Sequence, residues 1–291
     1  MKEFKGKTAV VTGAASGIGY GLAKRFAQEK MNVVLADIEQ DALDAAVSKI
    51  SDLGVEAVGI AVDVMDKNSV QSLAEESIHA FGNIHILCNN AGVSGPVSDE
   101  VIWNLDQNDW DWVLGVNFYG VLYGLQSFVP HMVEHKEEGH VLNTVSLAGI
   151  LGLEGSYGVS KFATLALSEG LFQSLKKINS KIGASALCPG FVATNLINSQ
   201  RNQPKHLSSK KKQNFLLKQL ASAVLKRGKK PDEIAARVIE GIQADSFYIL
   251  PHPIYDERIK ERYERILART EPESIDIKAT WLGTLLRKEE Y

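Results

Sequence analysis

Cysteine is scarce: Cys88 and Cys188 are the only two in 291 residues, far apart in apolar runs and without C-x-x-C spacing. That speaks against a disulfide framework or a thiolate metal site and suits reduced core thiols of a cytoplasmic protein. Long hydrophobic runs are missing too. No stretch approaches the ~20 apolar residues of a bilayer span. The apolar part of the opening M-K-E-F-K-G-K-T-A-V-V-T is too short for the h-region of a signal peptide. There is no excess of positive charge: 32 Lys and Arg stand against 35 Asp and Glu, a formal net charge of −3, which argues against nucleic acid as a partner. Nor is there an internal repeat, a low-complexity linker or a break in composition before about residue 195. A soluble cytoplasmic protein with neither membrane nor nucleic acid as partner is expected, and one α/β domain can fill most of its length.

What is present is alternation. Short runs rich in Val, Ile and Leu recur at 8–12, 32–37, 57–64, 84–89, 140–146, 182–188 and 247–250, with longer amphipathic segments between them. Continuous rather than alternating hydrophobicity marks strands covered on both faces. Between such runs, Val70, Leu73, Ala74, Ser77, Ile78 and Phe81 form one small or apolar helical stripe. Repeated βαβ units with right-handed crossovers give a Rossmann-type, doubly wound parallel α/β sheet of about seven strands, with helices on both faces.

The unusual residues fall at the carboxyl ends of those strands, where open α/β sheets bind ligands. T-G-A-A-S-G-I-G, Thr12–Gly19, joins the first strand to the first helix. Its glycines allow a tight turn and close approach of a pyrophosphate to a helix N-terminus. The spacing is G-x-x-x-G-x-G, not the standard G-x-G-x-x-G. Asp37 ends the second strand, where a carboxylate accepts ribose hydroxyls and repels a 2′-phosphate. No Arg or Lys stands at Ala14, Ala15, Ser16 or Ile38 to welcome such a phosphate, so NAD is the expected cofactor. Plain N-capping of the helix that starts near Glu39 is the alternative use of Asp37, and the ribose role ranks well above it.

With D-V at 63–64, N-N-A-G at 89–92, Asn117, Ser146, Y-G-V-S-K at 157–161 and P-G-F-V-A-T at 189–194, the chain resembles the short-chain dehydrogenase/reductase family over roughly residues 5–250. The resemblance implies a catalytic tetrad of Asn117, Ser146, Tyr157 and Lys161, with Asn117 holding a water that links the lysine to solvent. It implies a cofactor site of Gly13, Ser16, Gly17, Ile18, Gly19, Asp37, Asp63, Val64, Asn90, Ala91, Gly92, Tyr157, Lys161, Pro189, Gly190, Val192 and Thr194. Asp63 and Val64 would hold the adenine, Asn90 would lie on the ribose side, and Val192 and Thr194 would meet the carboxamide. A homodimer or homotetramer is also implied, as is a mobile substrate lid at about 191–230. Only eleven positions separate Ser146 from Tyr157, fewer than in many members, so the loop between them is expected to be tighter.

Tyr157 and Lys161 lie one helical turn apart. An ammonium roughly 4 Å from a phenolate offers up to about 4 kcal/mol of gross attraction at an effective dielectric of ~20, enough to pull a phenol down by up to ~3 units. Tyr157 is then expected to act as general acid/base, with Ser146 orienting the reacting oxygen. Small residues at Gly158 and Ser160 fit a helix face close to a cofactor. The apolar loop residues Val97, Trp103, Leu147, Leu151, Leu153, Phe191, Leu196 and Phe215 suggest a lipophilic secondary alcohol or ketone as small-molecule substrate.

Two alternatives use other features. A regulatory protein could bind a dinucleotide without turnover, though it would have no need of Tyr157 with Lys161. His131 and His135, in H-x-x-E-H, match a zinc-hydrolase pattern, but no third ligand is evident and helix-end histidines are the simpler reading. Lysines at 205–230, including 210–212, are expected to lie on a solvated helix face backed by Leu217, Leu220, Ala221 and Val224. A domain at 1–255 is followed by a helical extension at 256–291. Within it 256–268 reads as a helix with Ile259, Tyr263, Ile266 and Leu267 in one stripe. This extension, with Trp281, Leu282, Leu285 and Leu286, is expected to pack on a neighbouring subunit or, second, over the site's mouth.

Overall fold

Strand-forming runs and amphipathic helices alternate along the chain, and the computed structural model pairs the runs into one sheet. It describes residues 1–97, 100–209, 214–273, 281, 282 and 285. The strands are β1 (Thr8–Thr12), β2 (Asn32–Asp37), β3 (Ala57–Ala61), β4 (Ile86–Asn89), β5 (Gly139–Thr144), β6 (Ile182–Leu187) and β7 (Tyr248–Ile249). Their order is β3-β2-β1-β4-β5-β6-β7, and every pairing is parallel. The chain winds outward from β1 to β3 and then crosses to β4, so the switch in direction lies between β1 and β4. That crevice is where this architecture binds ligands.

The helices are α1 (Gly17–Gln28), α2 (Gln40–Ser51), α3 (Lys67–Phe81), α4 (Gln107–Leu114), α5 (Gly120–Glu134), α6 (Leu147–Leu151), α7 (Gly155–Lys177), α8 (Phe215–Lys226), α9 (Pro231–Gln243) and α10 (Asp256–Ala268). Side chains alternate across each strand. Val11 and Leu35 therefore meet Leu22, Leu43 and Val238 of α1, α2 and α9, while Val10 and Val34 meet Leu73, Phe128 and Leu175 of α3, α5 and α7. Trp112 and Phe128 are almost wholly buried in the second layer. Each such side chain contributes about 1.5–3 kcal/mol by leaving water.

Several strands are shorter than their apolar runs. Beyond Ala61 the chain turns: Asp63 donates its amide to Ser69 Oγ (3.1 Å) and accepts from the Met65 amide through Oδ1 (2.9 Å), which takes Asp63 off the ladder and onto the rim. Between α4 and α5 a π-helical turn, Gly115–Tyr119, carries Asn117.

The expected tail helix coincides with α10. Among the described residues its inner edge packs: Ile259, with Tyr255 just before the helix, lies against Val145, Leu147 and Ile150, and Arg262 Nη1 donates to the Leu151 carbonyl (3.0 Å). Tyr263, Ile266 and Leu267 face solvent. Leu286 and the lysines at 210–212 lie outside the described residues. On α8, Leu217, Ala221 and Val224 are buried as the stripe requires.

Candidate active site

The glycine-rich turn is built for close approach. Gly13 has φ +65°, and a Cβ there would come within 2.8 Å of Ala91 Cα. A Cβ on Gly19 would lie 2.0 Å from the Gly13 carbonyl oxygen, so the turn and the first turn of α1 touch through backbone alone. Gly19 therefore sits behind the groove wall, not on it. Ser16 precedes α1 without capping it through its side chain, leaving the helix's leading amides facing the groove.

Thr12 ties this turn to β4. Its hydroxyl accepts the amides of Asn90 (3.0 Å) and Ala91 (3.1 Å). Asn90 donates through Nδ2 to the Thr12 carbonyl (3.0 Å) and accepts from Thr144 Oγ1 (3.1 Å). Its side chain thus braces three strand ends. Asp37 accepts the Ala15 amide on Oδ2 (2.9 Å) and the Glu39 amide on Oδ1 (3.1 Å), which fixes the carboxylate at the rim.

Gly13, Ser16, Gly17, Ile18, Asp37, Asp63, Val64, Asn90, Ala91, Gly92, Pro189, Gly190, Val192 and Thr194 line one continuous groove, which ends at Ser146, Tyr157 and Lys161. Leading amides at a helix N-terminus, a rim carboxylate and a cation at the far end form a donor and acceptor set that fits a dinucleotide. Asn117 is not on the wall. Fully buried, it accepts the Val93 amide (2.8 Å) and donates to the Val93 carbonyl (3.0 Å) and Ser160 Oγ (3.0 Å), so its amide pins the loop after β4 to α7.

A second cavity, of about 580 Å³, opens from the same point. Ser146, Tyr157, Gly190, Leu196 and Leu225 border both spaces. Its size falls within the roughly 300–1,000 Å³ of small-molecule sites. Val97, Leu147, Leu151, Leu153, Phe191 and Leu196 line it as the sequence suggested. Trp103 and Phe215 do not: they are 79% and 68% exposed, and on α8 the inward positions belong to Leu217 and Ala221. Trp281 also lines the cavity, packed against the cluster of Val97, Ile197, Leu217 and Ala221, and Arg227 donates to the Leu285 carbonyl. At these positions the tail meets its own chain, the arrangement ranked second from sequence.

Ser146 caps α6, accepting the Ala148 amide (3.1 Å), and Tyr157 follows in the first turn of α7. Lys161 is buried and donates from Nζ to the Thr144 carbonyl (2.8 Å), with Nζ 5.9 Å from the centre of the Tyr157 ring. Burial lowers the lysine to about 8. Burial raises the phenol above its ordinary value, opposed by the Ser146 hydroxyl beside it. The expected downward pull of the ammonium is therefore not met here: both groups are desolvated, and the ammonium is turned to a carbonyl. The small residues of the motif also have another cause. A Cβ on Gly158 would lie 1.8 Å from the Leu153 carbonyl oxygen, and Ser160 is held by Asn117 and the Tyr157 carbonyl, so chain packing alone requires them.

His131 and His135 lie at the opposite end of the sheet. His135 accepts the Glu137 amide (3.1 Å) on Nδ1 and its Nε2 meets the Ile84 carbonyl (2.9 Å), so both ring nitrogens serve the chain. Among the described residues no group of three metal-ligating side chains forms.

Glu39, Arg201 and Asn202, which carry no sequence motif, also line the dinucleotide groove beside Asp37. Nothing local marks them, because the contact joins positions more than 160 residues apart.

A family model described as short chain dehydrogenase matches residues 7–205. A CLA biosynthesis dehydrogenase/reductase of Lactiplantibacillus plantarum is 34% identical, covering 94% of this chain and 97% of that protein. A C alpha-dehydrogenase of a Sphingobium species is 33% identical over 95% of this chain and 90% of its own length. The solved structure of a short chain dehydrogenase/reductase from Burkholderia phymatum in complex with NAD superposes with a TM-score of 0.90 at 36% identity, covering 94% of this chain and 99% of that one.

Proposed function

The chain belongs to the short-chain dehydrogenase family, and from that membership we propose that it is an NAD-linked oxidoreductase interconverting a lipophilic secondary alcohol and its ketone. The observation that carries this reading is that Ser146 and Tyr157 border both the dinucleotide groove and the apolar cavity, so the two spaces meet at the pair's side chains. When bound, NAD supplies the carbon that takes up or gives back a hydride.

The chain's own residues do the rest. Ser146 donates to the substrate oxygen and orients it toward the phenol. In reduction the Tyr157 O–H passes its proton to that oxygen; in oxidation the phenolate takes the proton back. The phenol's raised pKa keeps it protonated at neutral pH, the state reduction uses. Lys161, anchored on Thr144, presents its remaining protons to the nicotinamide ribose, and Asn117 positions Val93 and Ser160 beside it. The mainly aliphatic and aromatic lining favours lipophilic bodies.

Cytoplasmic location is read from the two buried free thiols, and no described helix is long and apolar enough to cross a membrane. The exposed Tyr263, Ile266 and Leu267 on α10 support a homo-oligomer in which this edge meets a second copy. The functional reading is tested by following NADH formation over a panel of secondary alcohols of graded size. Turnover is expected with bulky apolar members, and absence of NAD reduction across the panel together with absence of NADH oxidation on the matching ketones would reject it.

A further inference from the structure

The rim of the groove holds a cation that the strand–turn sequence does not foretell. Arg201, on the 3₁₀ segment Leu196–Asn202, reaches across to Glu39: Nη2 donates to Oε1 and Nε to Oε2 (3.2 Å). Asn202 Nδ2 donates to the same Oε1 (2.8 Å), and Arg201 Nη1 to the Asn198 carbonyl (3.0 Å). The carboxylate thus grips the guanidinium with both oxygens, a geometry that makes a partly exposed pair more than incidental. Arg201 beside it holds the Glu39 carboxyl below the usual carboxylate range, although burial opposes this.

Position gives the pair its meaning. The Glu39 amide donates to Asp37 Oδ1, so the pair adjoins the carboxylate that meets the adenosine ribose in the reading above, on which this inference rests. The charged side chains lining the groove are Asp37, Glu39, Asp63, Lys161 and Arg201. Lys161 is held at β5, three strands away from β2, which leaves Arg201, among the described residues, as the cation at the adenosine end. A guanidinium in that place is what a 2′-phosphate seeks. We propose that Glu39, by occupying Arg201, withholds it from a 2′-phosphate and is a second determinant of the preference for NAD.

Discrimination then has two layers. Asp37 repels the phosphate, and Glu39 removes the guanidinium that, among the described residues of the groove, would reward it. The same grip straps the segment Leu196–Asn202 over the adenosine end. Because Leu196 and Ile197 also wall the substrate cavity, the strap connects the two spaces.

The test is binding, not turnover: NADH and NADPH affinities by nucleotide fluorescence for the wild type, Glu39→Ala, Arg201→Ala and the double variant, with thermal melts to confirm folding. Glu39→Ala should bind NADPH roughly tenfold more tightly, the worth of one new charge-assisted contact, and the gain should shrink as salt rises. Adding Arg201→Ala should abolish that gain. NADPH affinity within about twofold of wild type in Glu39→Ala, or a gain that survives loss of Arg201, would overturn the proposal. A wild type that binds no NADH would instead reject the groove as a dinucleotide site, and the inference with it. If Glu39→Ala fails to fold, Glu39→Gln carries the same expectation at smaller size, and no gain there counts against it.

Discussion

Lys161 Nζ donates to the Thr144 carbonyl at 2.8 Å, so the cation of the Tyr–Lys pair is anchored to the end of β5 and not to the phenol one turn before it. The bond aims a desolvated ammonium at the junction of groove and cavity, beside Gly92, where a Cβ would lie 3.5 Å from Nζ. Burial, which the bond only partly offsets, makes that ammonium easier to discharge than an exposed lysine.

Cofactor affinity should therefore depend on pH. Burial lowers Lys161 to about 8. Ribose hydroxyls accept hydrogen bonds best from the charged form, so NADH should bind most tightly below that pH and weaken as pH rises through it. A charge-assisted bond of about 1.5–3 kcal/mol corresponds to a loss of roughly tenfold or more. Lys161→Met should bind weakly and without this pH dependence. A wild-type affinity that is flat from about pH 6.5 to 9.5 would contradict the assignment.

The two directions of reaction should diverge with pH. Burial raises the Tyr157 phenol, with Ser146 pulling the other way. Reduction uses the protonated phenol, so kcat for a ketone should hold through neutral pH and fall only as the phenol titrates. Oxidation uses the phenolate, so kcat for the alcohol should climb with pH over the same range. Saturating pH profiles in both directions decide this, and an oxidation rate that falls between about pH 7 and 9 contradicts it.

Two glycines should respond oppositely to alanine. Gly19→Ala places a Cβ on the Gly13 carbonyl and should destabilise the protein by about 1–3 kcal/mol while impairing NADH binding. Gly170→Ala adds a methyl in open space within α7 and should stabilise by about 0.5–1 kcal/mol. Denaturant melts check both, and a neutral Gly19→Ala would mean the turn can shift.

Trp281 should act on substrate size. Trp281→Ala removes one wall of the cavity, so KM for a bulky apolar alcohol should rise by about tenfold, the worth of roughly 1.4 kcal/mol of lost contact. A small alcohol should be little affected. Equal KM values for wild type and variant on the bulky substrate would place the tail outside the site.

Much of this was legible in the sequence because it is local. A glycine turn after the first strand, Asp37 at the end of the second and a Tyr–Lys pair one turn apart all declare themselves within a few residues, and α10 follows from one amphipathic stretch. What escaped depends on distance or on solvent. Glu39 meets Arg201, and Val97 meets Trp281, only after the chain has folded. Trp103 and Phe215 are apolar letters in a short 3₁₀ turn and at the start of α8, and hydropathy alone does not reveal that they point outward. The phenol's shift changed sign because spacing reports the proximity of a charge but not the burial that opposes it. Asn90 and Asn117 were visible as residues, yet their bracing of strand ends and loops emerges only from the hydrogen bonds.

The central claim is proton transfer by Tyr157 where groove and cavity meet, and Tyr157→Phe tests it most directly. The substitution removes one oxygen and keeps the ring. Turnover measured beside NADH affinity should fall by about 10²–10⁴-fold, the usual share of a general acid or base, while NADH affinity stays within a few-fold of wild type. A phenylalanine variant that keeps near-wild-type kcat across the pH range would contradict the account.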